Sequence, residues 1–259
     1  MTEVVAAPAA QVTVAHGRGE LPPWRLLLRR PTFIVGVTIL LFWVVCAVFG
    51  HMIAPQDPLA QQLLATNKAP SGAHWFGTDQ LGRDVFSRVI VGARSILVIA
   101  FFATLLGTVA GTALGLAMGY LGGVVDMVGG RIVEAVLALP LIVVAIMFVV
   151  AVGGGGSALT IIIIIGLVFT PLIARTVRTA VLVEFTVRLG YAIFTIAGLS
   201  FLGFGVQPPT PDWGADISAN YGVLPAGYWW MTLFPALAIA SLVIAINLVT
   251  DSIEQVIAS

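Results

Sequence analysis

Asp79, Arg83, Asp84 and Arg88 fall within ten residues of a chain in which only 9% of residues are charged. Alternating acids and bases at this spacing form ion pairs rather than reactive groups. At helical spacing Asp84 and Arg88 stand at i and i+4, a favourable pairing on one helix face. Such a face is either a solvated surface helix or a brace for a moving part. Other chemistry is sparse. Asp126 and Glu134 sit near a helix start, and Arg188 lies at a junction between apolar runs. An ion-driven transporter buries several ionisable groups as a relay, and no such series is present.

Catalytic patterns are equally sparse. The only lysine, Lys68, follows Asn67, so there is no G-x-x-x-x-G-K-[ST] phosphate loop. His16, His51 and His74 are scattered, with no H-E-x-x-H pair to favour a metal. Ser200 stands in LSFLG, which is not a G-x-S-x-G elbow. The expectation is a chain with no catalytic site, cofactor or metal of its own. The net charge is zero, which gives no reason to expect nucleic acid as a partner.

The elements that must position these residues are apolar. The chain has 259 residues, 59% of them hydrophobic, whereas soluble domains carry about 25% charged residues. This composition indicates an all-α polytopic membrane protein. Nearly uncharged runs cover 33–53, 95–120, 132–152, 158–174, 189–206 and 228–250. Each is close to the roughly 20 residues a spanning helix needs, so six crossings are expected. Residues 1–30 read as a tail, 31–94 as the first crossing with an outer loop, and 95–259 as a core of five crossings. No cleavable signal is evident, because the first run is long enough to span. Cys46, the only cysteine, reads as a small packed residue.

Orientation follows from the basic residues. Arg18, Arg25, Arg29, Arg30, Arg131, Arg175 and Arg178 fall on one side, and Lys68, Arg83, Arg88 and Arg94 on the other. The excess places both termini in the cytoplasm. In the second run Gly107, Gly111, Gly115 and Gly119 recur every four residues, the spacing of a seam along which two backbones approach closely. Pro140, Pro171 and Pro235 fall within the third, fourth and sixth runs and are expected to kink their helices. Gln207-Pro208-Pro209-Thr210-Pro211 reads as stiff and extended. Trp213, Tyr221, Tyr228, Trp229 and Trp230 fit an aromatic belt at the membrane interface.

One connection is anomalous. Residues 158–206 would make a single helix of roughly 73 Å, more than twice a bilayer core of about 30 Å. The chain must turn near the middle, yet no Gly, Pro, Asn or Asp lies between Pro171 and Gly190.

Two stretches resemble a known family. HWFGTDQLGRDVFSRVIVGARSIL (74–97) is similar to the segment before the second helix in permease subunits of dipeptide, oligopeptide and nickel ABC importers. Gly77, Thr78, Asp79, Gly82, Arg83, Asp84 and Arg88 carry that motif. LSFLGFGVQPPTPDWG (199–214) resembles the end of their fifth helix and the loop after it, with Gln207, Pro208, Pro209 and Trp213. The likeness runs from about Arg25 onward and is greatest to the second-permease type.

That resemblance implies a six-helix type I importer permease in the bacterial plasma (inner) membrane. It implies as partners a second homologous permease, two ATPases holding ATP and Mg, and an extracytoplasmic substrate-binding protein, all within membrane lipid. The implied function is half of a translocation path for di- or oligopeptides, with nickel complexes, glutathione or haem as alternative cargo. A stand-alone secondary transporter or channel is the alternative function. The 74–97 segment would brace the outer gate or meet the binding protein. Family members carry a long cytoplasmic loop between the fourth and fifth helices, which plugs into the ATPase. Arg175 and Arg178 resemble its base, but a segment on the order of 40 residues is missing near Glu184. Three accounts are open: the segment lies outside these 259 residues, it has been lost, or 175–188 form a short inner loop. The first is favoured here.

Overall fold

The computed structural model describes residues 26–154, 157–176 and 181–257. Its helices are α1 (Pro31–Ile53), α2 (Val85–Leu121), α3 (Gly123–Leu137), α4 (Leu141–Ala151), α5 (Ala158–Thr176), α6 (Val181–Phe201), α7 (Trp213–Asn220) and α8 (Trp230–Ile257). Two short 3₁₀ turns, Leu63–Ala65 and Tyr221–Ala226, lie between them. Among the described residues α1, α2, α5, α6 and α8 are long and apolar enough to cross a membrane. Counted as one span, the bent pair α3–α4 brings the number to six.

α2 is the central rod. It packs chiefly against α5, and also against α1 and α6. Ile96, Ile99, Ala100 and Ala103 of α2 join Ile161, Ile165 and Phe169 of α5 and Ile193 and Ile196 of α6 in one buried core. α1 and α8 run side by side. Trp43 Nε1 donates to Ser241 Oγ at 2.9 Å, and the Thr32 and Ser252 hydroxyls meet at 3.1 Å. Arg30 reaches Gln255 at the same end. The N-terminal end of α1 and the C-terminal end of α8 therefore lie together, as an even number of crossings requires. We call this the tail end. The opposite end carries residues 54–84 and α7, and we call it the cap end.

Three element boundaries differ from the sequence expectation. α2 starts ten residues before the apolar run at 95–120, and its 37 residues make a rod of roughly 55 Å. Its first turns, from Val85 to Ala93, are buried by the cap rather than solvated, so charged Arg88 does not end the helix. The crossing expected at 132–152 is not one kinked helix. α3 and α4 meet at 92°, and Pro140 caps α4 instead of lying inside it. Proline bars α geometry at the preceding residue and offers no N–H; α3 accordingly stops at Leu137. Pro171 and Pro235 do lie within α5 and α8.

The third correction concerns the anomalous connection. Of the 175–188 stretch weighed as a short inner loop, Arg175 and Thr176 belong to α5 and the residues from Val181 onward belong to α6. Glu184 and Arg188 pair within α6, Nε to Oε1 at 2.6 Å. Residues 177–180, and with them Arg178, lie outside the described residues.

Candidate functional site: the ionic cap

The cap begins with a turn that glycine makes possible. Gly77 and Gly82 have φ of +74° and +71°, in the left-handed region that side chains disfavour. Between them Asp79 folds the chain on itself. Its Oδ1 accepts from the backbone N–H of Leu81 at 2.9 Å and of Arg83 at 2.8 Å, and Oδ2 accepts from Arg83 Nε at 2.6 Å. Thr78 pins the loop from inside: its hydroxyl donates to Ala65 O and accepts from Lys68 N–H. Trp230, at the start of α8, donates Nε1–H to Thr78 O at 3.1 Å.

The expected Asp84–Arg88 pair does not form. Asp84 caps α2, its Oδ2 accepting from Ser87 N–H at 2.8 Å and Ser87 Oγ at 2.7 Å, and its Oδ1 lies 3.0 Å from His74 Nδ1. An N-cap carboxylate aimed at the first turn satisfies otherwise orphaned donors, so it is unavailable one turn later. Arg88 turns the other way. Nε and Nη2 donate to Asp216 Oδ1 at 3.0 and 2.5 Å, and Nη1 donates to Pro58 O at 3.1 Å. One guanidinium thus joins α2, α7 and the loop after α1. The group is not a solvated face, since Asp79, Arg83, Asp84, Arg88 and Asp216 are all buried.

α7 closes the cap. Asp212 is its N-cap, accepting from Ala215 N–H at 3.0 Å and from Ser200 Oγ, in the last turn of α6, at 3.1 Å. Burial pushes the Asp212 carboxyl up to about 6, against the lowering pull of those hydrogen bonds. Burial also raises Asp216, although Arg88 opposes it. Asp216 Oδ2 has no hydrogen-bond partner among the described residues.

The aromatic belt needs correction. Trp213 is fully buried; its Nε1 donates to Val89 O at 2.8 Å and its ring stands edge-on to Trp43. Trp230 is buried as well, whereas Tyr221 and Trp229 stay exposed. A tryptophan whose N–H finds a buried carbonyl can leave the interface altogether. The 207–211 stretch forms a turn rather than an extended strut. Gln207 donates its amide to Gly203 O and Gly205 O, and the Pro208–Pro209 bond is cis.

The glycines of α2 divide into two pairs. A methyl on Gly107 would stand 2.8 Å from Phe169 Cβ, and one on Gly111 2.7 Å from Ile173 Cβ and Thr170 O. These two allow α5 its close approach. The seam does not continue to Gly119, where a methyl would meet nothing within 4 Å. α5 ends nearby at Thr176. Gly115 and Gly119 instead line a tail-end cavity of about 680 Å³ together with Asp126, Glu134 and Arg175.

Sequence reasoning missed Asp212, Asp216 and His74 as partners. The D-W-G-A-D spacing held a usable signal, an acid before a helix start with another one turn on. Among the described residues no cluster of three or more His, Cys, Asp or Glu is placed to hold a metal.

The buried ion pairs thus gather at one end of the helical bundle, and a cavity of about 680 Å³ opens at the other. A model of the binding-protein-dependent transport system inner membrane component matches residues 168–259, and one of the N-terminal TM domain of oligopeptide transport permease C matches residues 23–70. The dipeptide transport system permease protein DppC of Bacillus subtilis (strain 168) is 33% identical over 265 residues, covering 90% of this chain and 83% of the relative. The chain belongs to the binding-protein-dependent permease family of ABC importers. A glutathione transport system permease protein, GsiD of Escherichia coli O157:H7, is 36% identical over 271 residues, covering 90% of this permease and 88% of the relative. The stretch of 265 residues exceeds the covered share of this permease, 90% of 259, by roughly 30 positions.

Proposed function

We propose that this permease forms half of the translocation path of an ATP-driven importer for short peptides, glutathione among them. A second permease completes the path, two ATPases carry ATP and Mg, and an extracytoplasmic binding protein presents the cargo at the cap end. Both termini then lie in the cytoplasm, in keeping with the excess of arginine at the tail end. The observation that carries this reading is the likeness, over 90% of the chain, to permeases named for dipeptide and glutathione transport. The ionic cap suits it mechanically. A rigid outer end can receive a docked protein without deforming, while the hollow tail end has room to move. The chain has no legible recognition code for cargo, and selectivity is assigned to the binding protein. Uptake of labelled dipeptide and of labelled glutathione, in cells with and without this gene, tests the proposal; undiminished uptake of both in the deletion strain overturns it.

One observation favours a second reading. Only four residues separate Thr176 from Val181, and the aligned stretch exceeds the covered part of this chain by roughly 30 positions. With that difference placed between α5 and α6, the subunit assembles with its partners but lacks the lever through which ATPases move it. Reconstitution with the partner subunits separates the two. Binding-protein-stimulated ATP hydrolysis supports the first reading. Stimulation that appears only after a relative's longer segment is inserted supports the second.

A further inference from the structure

We propose that a groove at the cap end is a binding site for an anionic phospholipid, held head-first at Arg94. The groove has a volume of about 470 Å³. It is lined by Arg94, His51, Ser95 and Thr210 and by apolar residues that include Leu59, Val98, Ile99 and Pro209. Along α2, Val98 and Ile99 follow Arg94 and Ser95 by about one turn, so the polar lining gives way to apolar lining in the order a phospholipid presents its own.

The depth is right for a headgroup. The 27 residues of α2 from Ser95 to Leu121 span roughly 40 Å, close to the full thickness of a bilayer with its headgroups. Arg94 therefore stands at one boundary of the membrane. His51 is also at a boundary, in the last turn of α1.

The charge is right as well. Arg83 and Arg88 are consumed by Asp79 and Asp216. Among the described residues Arg94 makes no ion pair, and its side chain is exposed. A free, planar guanidinium beside hydroxyls at the membrane surface matches the multiply accepting oxygens of a phosphate.

Below Arg94 the same face of α2 continues as a track. Val98, Phe102, Leu105 and Val109 follow at helical spacing, and each stays exposed. With about 100° per residue they fall within one stripe, so an acyl chain can lie along them while the phosphate stays on Arg94. A soluble anion would use the rim but not the track, and a zwitterionic lipid would use the track with less gain at the rim.

Native mass spectrometry of the delipidated full chain tests this, with palmitoyl-oleoyl phosphatidylglycerol or phosphatidylcholine added back. The expected result is one phosphatidylglycerol retained per chain, with an affinity about tenfold above that for phosphatidylcholine, equivalent to roughly 1.4 kcal/mol. Arg94→Gln is expected to remove the preference, Arg94→Lys to keep part of it, and Arg175→Gln, at the tail end, to leave it intact. Equal retention of the two lipids overturns the proposal, as does a preference that survives Arg94→Gln. Displacement by glycerol phosphate at the lipid's own concentration marks a soluble-anion site and also overturns it. Displacement by a dipeptide that is lost in Arg94→Gln assigns the groove to the transport path instead. Since Arg94 has no ion-pair partner among the described residues, an unchanged melting temperature accompanies the expected result.

Discussion

Arg88 and Asp216, 128 positions apart, form a buried ion pair that ties the first turn of α2 to the middle of α7. Removing one partner leaves the other charged and dry, which costs about 3–5 kcal/mol, whereas replacing both with apolar groups of similar size is far milder. Arg88→Met and Asp216→Leu alone are expected to lower the melting temperature sharply, and the double variant to recover much of the loss. Fluorescence-detected thermal unfolding in detergent measures this, and a double variant as unstable as the worse single one contradicts it.

Asp212 gives the cap a pH dependence of definite sign. Its carboxyl titrates at about 6 in the fold, against 3.8 when unperturbed, so the folded cap binds the proton more tightly than the unfolded chain does. The contribution to stability is fully present below about 3.8 and is lost as pH rises through about 6. A shift of two units corresponds to about 3 kcal/mol at most. Wild-type protein is expected to melt higher at pH 5 than at pH 7.5. Asp212→Asn keeps a cap-competent side chain without the buried charge. It is expected to be more stable than wild type at pH 7.5 and to show a flatter profile between pH 5 and 7.5. A variant with the wild-type slope assigns the dependence to another group.

The two pairs of glycines in α2 call for opposite outcomes. Gly111→Ala forces a methyl to within 2.7 Å of Ile173 Cβ and Thr170 O, and overpacking of this kind costs about 1–3 kcal/mol. Gly119→Ala meets open space and is expected to gain up to about 1 kcal/mol from the lower flexibility of the unfolded chain. Side-by-side melting curves decide it; equal effects at the two positions contradict the assignment of α5 contact to Gly111 and not to Gly119.

What the sequence showed was set by range. The apolar runs announced the crossings because lipid acts on every residue locally. The pairing of Arg88 was illegible, since Asp84 lies four residues away and Asp216 at the far side of the fold. Trp213 misled because its composition fits a membrane interface equally well; only the approach of Val89 O and Trp43 takes it inside. Pro140 was read as a kink, but the constraint it places on Leu139, together with a sharp turn before α4, ends the helix. The short passage from α5 to α6 carried no turn residue to mark it.

That passage is expected to tolerate insertion. α5 packs mainly on α2, and α6 on α2, α7 and α8, while the two touch each other only slightly. Lengthening a connection costs about 0.6 kcal/mol per doubling; growing it from four residues to about 32 costs about 2 kcal/mol. A flexible Gly/Ser insert of that length between Thr176 and Val181 is expected to leave the protein monodisperse, with melting lowered by only a few degrees. Size-exclusion chromatography and thermal unfolding check both points. Loss of the folded peak would mean that the short connection is itself a structural tie, and that the extra positions of the relatives belong elsewhere in the chain.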